Sequence, residues 1–445
     1  MPHKRSARIR AGAIKPALII ACTIMLSACM DGRLPDVTKM GFGAGKAPSD
    51  PGAASLSAQG EVRSALIADL QARRSILPPN GPFAAISAAV IESGAGVAAA
   101  ELRVARLRAE AKAKNWLPRI GPSANLNALG ALAASILVEQ ALFDNGRRKA
   151  ERAYAAADVE VAAVTLASEG NRRVYDGLKH YLAAQRARDQ AAVSERAVTR
   201  LADFERIMRL RVEGGLSDRS EQRVLQQKYS EMQASLTADR QAEVTAMAEL
   251  GALTTRDLTG LRGIDPLPPD LATAEPLAVT RARGEGARAI AEAQIAKADM
   301  LPGLTASASL GKGGVDGGIG LNGGNFGFGS GSAREALNAT GDLVVRQTAQ
   351  AAEDANRRIV ALQREMHAVQ SREAEGAEVL RQTGANLAMF TEQYKVGRRT
   401  LLELVQQYEA FARLERDQVA LKYIATDLRL QIALERGLLV DGTRM

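Results

Sequence analysis

A long stretch near the end of the chain, residues 333–396, contains no proline and places apolar residues about every 3.5 positions. A heptad seam sustained over this length is typical of a coiled coil rather than of a surface helix. At ~1.5 Å per residue, some 60 residues would extend roughly 90–100 Å. The seam, broken clearly at Glu373, consists of Val345, Thr348, Ala352, Ala355, Ile359, Leu362, Met366, Val369, Glu373, Gly376, Leu380, Thr383, Leu387, Phe390 and Tyr394. We therefore predict a helix that bridges a large distance.

The chain repeats one plan twice. Leu117-Pro118 recurs as Leu301-Pro302, an offset of 184, and the run that begins at Asn171 recurs from Asn356, an offset of 185. Agreement between separate landmarks across a whole half indicates an internal duplication. The proline-rich residues 261–276 then link two equivalent halves, 59–260 and 277–445.

Each half begins with a predicted helix, 84–113 or 277–299, which ends before its Leu-Pro pair because proline disfavours helix in the preceding residue. Two strands are predicted next, within 123–143 and within 304–329. Strict alternation of apolar and polar residues is the signature of a strand with one buried face. It is cleanest at Leu304, Ala306, Ala308 and Leu310, which alternate with Thr305, Ser307 and Ser309.

In the second half, the glycine-rich residues 311–318 are interpreted as a turn before a strand at about 319–328. The same stretch lacks the terminal Lys-Ser/Thr of a phosphate-binding loop. The corresponding strands of the first half are expected at 123–130 and 132–143.

A long helix follows the strands in each half, at 147–213 and 333–396. Gly214-Gly215 and Gly397 are expected to end these helices in a left-handed conformation. Ser217 and Thr400 are then expected to N-cap the returning helices. Thr400 followed three residues later by glutamate also predicts a capping box.

The first 28 residues resemble an export signal. A basic stretch is followed by an apolar run, 16–25, that is too short to span a membrane. The run ends in Leu26-Ser-Ala-Cys29, which resembles the lipoprotein cleavage box, so we predict acylation of Cys29. Met30 favours sorting to the outer membrane in that class. Residues 29–58 are predicted to be an acylated, flexible tether.

Composition excludes several classes of protein. The formal net charge is +8, but the first 28 residues contribute five basic residues and no acid, which leaves 53 basic against 50 acidic residues. A nearly neutral, mixed surface does not indicate nucleic-acid binding. After removal of the signal Cys29 is the single cysteine, so no disulfide within the chain is expected.

No enzymatic signature is found. His3 is lost with the signal, and His180 and His367 lie on the long helices without cysteine or histidine ligands at zinc spacing. No Walker loop or nucleophile elbow occurs. We predict no enzyme activity, no metal and no cofactor.

Four strands per chain cannot form a closed barrel alone, because the smallest known barrels have eight strands. Open strand edges are not tolerated in lipid. The strands must therefore be shared between copies. Two copies would give eight strands and a lumen nearly filled by side chains, and three would give twelve strands and room for a channel.

The order of elements resembles a TolC-like outer-membrane efflux protein, over nearly all of residues 59–440. Three local matches carry the resemblance: the Leu-Pro pairs, the Leu-Phe-Asp-Asn-Gly run of residues 142–146, and the turn at residues 394–403. It implies a mainly α fold with a small β part, made of two tandem repeats of two strands and long antiparallel coiled-coil helices. It also implies a homotrimer with a twelve-stranded outer-membrane β-barrel, continued by a periplasmic α-helical barrel.

The resemblance further implies a tripartite export system. A periplasmic adaptor and an inner-membrane pump, of the RND or the ABC type, would deliver small toxic compounds to the channel. Contacts with the adaptor are expected at the helix turns, at Gly214, Gly215, Ser217, Gly397 and Thr400.

The resemblance places a gate at the periplasmic mouth, formed by Tyr394, Arg399 and Glu403. Three copies of Glu403 would form a cation-attracting ring. An acid is also expected six residues after the first-half glycine, but counted from Gly214 this position is Ser220. A latch that holds the mouth closed would then have to use Asp218 or Glu221 as its acceptor instead.

Simpler roles for the gate residues stay open. Glu403 would merely complete the capping box, Arg399 would be solvated, and Tyr394 would close the heptad seam. Gln406 replaces a second acid found in some members.

Two alternative functions remain at this point. The chain could be the outer-membrane channel of type I protein secretion. It could also be a structural coiled-coil lipoprotein of the periplasm without a pore, although such a spacer needs no alternating strands in each half.

Overall fold

Long helices and one small sheet form the described part of the chain. A computed structural model describes residues 64–94, 96–126, 132–268, 273–311, 314–324 and 330–444, and the predicted signal, Cys29 and tether lie outside them. In chain order the elements are α1 (Ala65–Ala72), α2 (Pro82–Glu92), α3 (Val97–Ala113), β1 (Arg119–Leu126), β2 (Leu132–Phe143), α4 (Arg147–Glu213), α5 (Arg219–Ala252), α6 (Leu277–Asp299), β3 (Gly303–Gly311), β4 (Gly314–Asn322), α7 (Ser330–Lys395), α8 (Leu401–Glu435) and a 3₁₀ turn (Gly442–Arg444).

The two long helices are the predicted ones, and the bounds of α4 match the prediction at both ends. Along α7 the predicted seam faces inward, with Ala355, Ile359 and Val369 buried. Near the start of α7 the seam is displaced by one residue, since Val344 is buried and Val345 is exposed. Helix α6 packs there, and its Gly286 leaves the space that Val344 fills.

The helix predicted over 84–113 is two helices, so that prediction is wrong. Helix α2 ends at Glu92, and Gly96 adopts a left-handed conformation with φ of 66° before α3 begins. Arg173 of α4 stabilises the break, because its guanidinium donates to the carbonyl oxygens of Val90 (2.9 Å) and Ser93 (3.2 Å). Contacts from a residue 80 positions away could not be read from local sequence.

The four strands form one antiparallel sheet in the order β1-β2-β3-β4. Strand β2 of the first half pairs with β3 of the second, so the halves share the sheet. A bulge lies in β2 between Ala141 and Phe143. Within this sheet the outer edges of β1 and β4 have no neighbouring strand.

The register gives the sheet one apolar and one polar face, since directly paired residues of antiparallel strands lie on the same side. Gln140 is the polar exception on the apolar face, and Leu137 is the large apolar exception on the polar face. The apolar face includes Ile120, Pro122, Ile136, Val138, Phe143, Leu304, Ala306, Ala308, Leu310, Val315, Ile319 and Leu321. The polar face includes Arg119, Ser123, Ser135, Glu139, Thr305, Ser307, Ser309, Asp316 and Asn322.

Two strands begin earlier than predicted. Strand β1 starts at Arg119 rather than at 123, and β4 covers Gly314–Asn322 rather than 319–328. The turn assigned to 311–318 is therefore mostly strand, and residues 325–329 lie outside the described part. Glycine at 317, 318 and 320 hides the alternation of β4, while backbone pairing with β3 sets its position.

A core of large side chains lies where α2, α4, α5 and α8 meet. Phe83 and Tyr181 contact edge to face, with ring centroids 6.2 Å apart. Residues of the predicted linker pack into this core. Asp265 of this linker accepts a hydrogen bond from the backbone N–H of Phe83 at 2.8 Å and so caps α2.

The C-terminal segment closes the same core. Leu438 accepts a hydrogen bond from the N–H of Ile76 at 2.9 Å, and Gly442 donates to the carbonyl of Arg73 at 3.0 Å. The buried side chain of Asn171 accepts from the N–H of Leu439 at 2.7 Å and donates to the carbonyl of Ala167 at 2.8 Å.

Within the described part of the chain, no single helix has the length and apolar character needed to cross a membrane. The bent pair α2 and α3, which meet at 58°, passes that test jointly by length and composition alone.

The close contact of α6 with α7 makes a first prediction. A Cβ at Gly286 would lie 2.4 Å from Cγ1 of Val344, a β-branched side chain with little freedom to move. We expect Gly286→Ala to destabilise the fold by about 1–3 kcal/mol. Gly251→Ala is the control, since a Cβ there meets nothing within 4 Å. It should be neutral or stabilising by up to about 1 kcal/mol. Chemical denaturation followed by circular dichroism measures both variants, and equal midpoints would contradict the packing described.

Candidate functional site at the two helix turns

The turns that join α4 to α5 and α7 to α8 have the same hydrogen-bonded geometry. In the first, the N–H of Leu216 donates to the carbonyl of Arg211 at 2.7 Å. In the second, the N–H of Arg398 donates to the carbonyl of Gln393 at 2.9 Å. Each is a Schellman motif closed by a left-handed glycine, Gly215 or Gly397.

This geometry corrects the alignment of the two turns. Gly215, with φ of 71°, corresponds to Gly397, whereas Gly214 has a negative φ and is the helix C-cap. The predicted N-cap Ser217 is also wrong, because Asp218 caps α5 by accepting from the N–H of Ser220 at 2.9 Å. Adjacent serine and aspartate are both good caps, so sequence alone could not choose between them.

The two turns also share a contact across the chain reversal, with the roles of its residues exchanged. In the first turn Arg211 donates through Nε to Oγ of Ser217 at 3.1 Å. In the second, Arg399 donates through Nε to Oε1 of Gln393 at 3.0 Å. Each pair is six residues apart, so an arginine stands before the first turn and after the second. Arg211 was not identified from the sequence. The pattern that could have indicated it is the spacing of six residues between Arg211 and Ser217, which Gln393 and Arg399 repeat in reversed order.

Arg399 is held within its own chain on three sides. Besides Gln393, it contacts Oε1 of Glu403 through Nη1 at 3.0 Å. Its guanidinium carbon lies 4.7 Å from the ring centroid of Phe390, in cation–π geometry. The ring of Phe390, a residue of the predicted seam, therefore contributes to the site.

Glu403 completes the predicted capping box, which is confirmed. Its carboxylate accepts from the N–H of Thr400 at 2.8 Å, while its own N–H donates to Oγ1 of Thr400 at 3.2 Å. The backbone N–H of Thr400, the Arg399 guanidinium and the Thr400 hydroxyl together lower the pKa of Glu403 below its ordinary value of 4.5. The carboxylate is therefore anionic at neutral pH.

Behind the turns, all four long helices share one core. Tyr394 packs against it from α7, together with Phe390, so the tyrosine lies at the end of the predicted seam. The buried members are Ala197, Leu201, Phe204, Met208, Leu225, Met232, Leu401, Leu404, Val405 and Ala412. Burial of this set couples the two hairpins near their tips.

Farther from the tip, a buried carboxylate joins three helices. Asp239 of α5 is 4% exposed, accepts from Oγ of Ser194 at 2.9 Å and pairs with Arg416 of α8 through Nε at 3.1 Å. A buried charge requires such partners, and removal of one partner is costly. Asp239 is 45 positions from Ser194 and 177 positions from Arg416 in the sequence, so no motif could have indicated this cluster.

A second charged cluster lies where the helices meet the polar face of the sheet. Arg147 pairs with Asp299 at 3.1 Å and with Glu151 at 3.3 Å, and Lys112 pairs with Glu151 at 3.0 Å. Burial opposes ionisation of Glu151, but hydrogen bonds from Lys112 and Asn115 and nearby positive charges outweigh it and lower the pKa. The ends of α3 and α6 are thus fixed to the start of α4.

Cys29 lies outside the described residues. Among residues that are described, no group of three or more histidine, cysteine, aspartate or glutamate side chains could hold a metal ion.

No protein-family model matches the sequence, and no curated protein matches it significantly. Solved structures do match. A membrane protein from Pseudomonas aeruginosa aligns with a TM-score of 0.71 at 13% identity, over 83% of this chain and 92% of that one. The CmeC outer membrane channel of Campylobacter jejuni gives 0.65 at 11% identity, over 84% and 86%. This chain has a TolC-like fold.

The outer membrane protein VceC of Vibrio cholerae gives a TM-score of 0.64 at 16% identity, over 84% of this chain and 95% of that one. The predicted fold class, mainly helical with a small antiparallel sheet, is confirmed. At these identities the likeness establishes the TolC-like fold.

The lowered pKa of Glu403 predicts that the contribution of the capping box to stability depends on pH. Because the folded-state pKa lies below about 4.5, the capping contribution is present above that pH and is lost as pH falls through the folded-state pKa. Glu403→Gln should accelerate hydrogen exchange at residues 398–405 at about pH 7, and the difference from the parent should shrink at acid pH, as the parent carboxylate is protonated. Mass spectrometry measures both.

The matched control is Glu392→Gln. The parent Glu392 side chain pairs with Lys395 at 2.7 Å, and both residues belong to the last turn of α7. It should leave exchange at 398–405 unchanged. A Glu403→Gln effect of the same size at neutral and at acid pH would exclude the ionised cap.

Proposed function

We propose that this chain forms the outer-membrane channel of a tripartite export system. Three copies would build a twelve-stranded barrel in the outer membrane and a periplasmic tube of helices. A periplasmic adaptor and an inner-membrane pump of the RND or ABC type would deliver substrates to it. Efflux of small toxic compounds is the favoured activity, and the chain is not an enzyme.

The sheet is the observation that carries this proposal. Its apolar face exposes Ile120, Val315, Ile319 and Leu321, which are 68–77% exposed in the single chain. The opposite face is polar, as the lumen of a water-filled barrel requires. A soluble spacer would gain nothing from exposing such a face, because each apolar side chain in water costs free energy.

The helix turns are the proposed contact with the adaptor. They lie at the end of the hairpins remote from the sheet, since α4 and α7 lead away from β2 and β4. Gly214, Gly215, Ser217, Gly397 and Thr400 belong to this surface. Leu216 and Val396 add exposed apolar side chains at the same tips.

The gate is proposed at the same end, from Tyr394, Arg399 and Glu403. The corrected alignment supports it, because the position six residues after Gly215 is Glu221, an acid in the first turn of α5. Each chain would thus bring one carboxylate from each turn, Glu221 and Glu403, to the mouth. A ring of such carboxylates would attract cations.

Acylation of Cys29 is proposed to add a lipid anchor. The predicted tether, residues 29–58, precedes Ser64, whose hydroxyl donates to the carboxylate of Glu160 of α4. Glu160 is 13 residues, ~20 Å, along α4 from its start beside the sheet. A lipid anchor would therefore be attached to the chain near the end of the helices that carries the sheet.

The channel itself is tested in planar bilayers. The purified full chain should form discrete, ion-conducting units, and its mass in detergent should equal three copies plus acyl chains. A chain that remains single and conducts no ions would reject the channel in favour of a periplasmic spacer.

The exported substrate is tested in cells. Deletion of the gene should increase sensitivity to dyes, detergents or antibiotics, and the wild-type gene should restore resistance. Unchanged resistance together with loss of a secreted protein would assign the channel to type I secretion.

The gate is tested by Arg399→Ala. Loss of the guanidinium removes its contacts with Gln393, Glu403 and Phe390, so the mouth should loosen and single-channel conductance should rise several-fold. Arg398→Ala is the control, because it removes the same charge from the neighbouring position. Equal conductance of the parent and both variants would remove Arg399 from the gate.

A further inference from the structure

One row of residues interrupts the small, polar lining of the sheet. The polar face of the described sheet consists mainly of glycine, serine, threonine and asparagine. Leu137 of β2 is its large apolar exception, and Asp316 of β4 carries a charge. The registers place both in one row, because Ser309 of β3 pairs with Leu137 on one side and with Asp316 on the other. An apolar side chain and a carboxylate therefore project from the same height of this face.

The charge of Asp316 is uncompensated within the described sheet. The other charged residues paired on the polar face, Arg119 and Glu139, lie directly opposite each other on β1 and β2, so their charges balance. Asp316 instead faces a serine, and its neighbours on the same face of β4 are Gly314 and Gly318. The aspartate is also exposed. Each chain therefore presents one net negative charge on this face.

Leu137 is not explained by packing. It belongs to none of the apolar cores of the described chain. Its partners across the sheet, Gly121 and Ser309, are small, and Ser135 precedes it on the same face. A leucine that keeps apolar surface in a water-filled lumen costs free energy. An apolar ligand at this position would remove that cost.

The row has room for such a ligand. A Cβ at Gly121, which ends the row on β1, or at Gly318, beside Asp316, would meet nothing within 4 Å. The Cα atoms of Leu137 and Asp316 are ~9.5 Å apart, which is two strand spacings. Ser309 between them adds only a hydroxyl group. A cation held at the carboxylate can thus lay an alkyl arm of several carbons across Ser309 onto Leu137.

The row lies toward the end of the sheet that is remote from the helices. Strand β3 begins at Gly303, directly after α6, and Ser309 is ~20 Å farther along it at ~3.3 Å per residue. In the proposed channel this is the exit side of the barrel, at the opposite end from the mouth. Three copies would present three such rows around the lumen.

We infer that the row of Leu137, Ser309 and Asp316 is a binding site for cations with an apolar body, and that quaternary ammonium compounds are the class it fits. The carboxylate attracts the charge, which would favour any cation. The leucine removes an alkyl arm from water and so favours an organic one. This inference rests on the proposed channel and adds to it a binding site inside the barrel.

Current block in planar bilayers tests the site in the full chain. The probes are tetramethylammonium and tetrapentylammonium, which carry the same charge and differ in their alkyl arms. Added from the side of the sheet, tetrapentylammonium should halve the current at a concentration at least about tenfold lower than tetramethylammonium, because its longer arms bury methylene groups on Leu137. Leu137→Ser should abolish this preference, and Leu137→Ile, which keeps an apolar side chain, should retain it.

The position of the charge is tested by moving it. Asp316→Asn should weaken block by both probes. The matched control combines Asp316→Asn with Gly320→Asp, which returns one carboxylate to the same face of β4, roughly 13 Å along the strand. A Cβ at Gly320 meets nothing within 4 Å, so the strand has space for this side chain. The double variant should regain the parent's preference for potassium over chloride without regaining its preference for tetrapentylammonium.

Equal half-blocking concentrations of the two probes in the parent channel would overturn the site. A preference for tetrapentylammonium that survives Leu137→Ser, or that persists when the carboxylate is moved to position 320, would overturn it as well. Each of these results is measured on a conducting unit and leaves the proposed channel intact. Absence of conductance in the parent would instead reject the channel, and the site with it.

Discussion

The fold depends on how its backbone hydrogen bonds are satisfied at the sheet edges. The outer N–H and C=O groups of β1 and β4 have no partner within the described sheet. In water such an edge binds other chains, and in lipid each unpaired group costs several kcal/mol. A sheet with one exposed apolar face and two open edges therefore has unsatisfied hydrogen-bonding groups and uncovered apolar surface as a single unit. The internal duplication removes two such edges within the chain, because β2 of the first half pairs with β3 of the second.

Small side chains let the long helices approach one another where the two halves meet. Glycine at 284 and 286 allows α6 to lie between two long helices, while buried alanines line much of α4. Close approach increases dispersion contacts over a long interface even where few large side chains are present. The low aromatic content of the chain, 4%, is therefore consistent with a wall of closely packed helices.

Most of the fold could be predicted from periodicity and repetition. The bounds of α4 and α6, the strand at Leu304 and the Thr400 capping box follow from local sequence. Strand β4 was misplaced because glycines hide its alternation, and the break before α3 depends on distant Arg173. At the candidate site the glycines were identified, but Gly214-Gly215 left the register of the first turn ambiguous. The contact of Arg211 with Ser217 became visible only when both turns could be compared.

The closure of the central core by residues 438–442 has a consequence for the order of folding. Ser75 donates its backbone N–H to Asp441 at 2.9 Å, across a sequence separation of 366 residues. Asn171, fully buried, lacks its partner for one oxygen until Leu439 arrives. Contacts of such separation slow folding, since a long loop must close first. The middle of the molecule is thus completed only when residues 438–442 meet segments that lie 268 and 366 positions earlier in the chain, so its core closes late in folding.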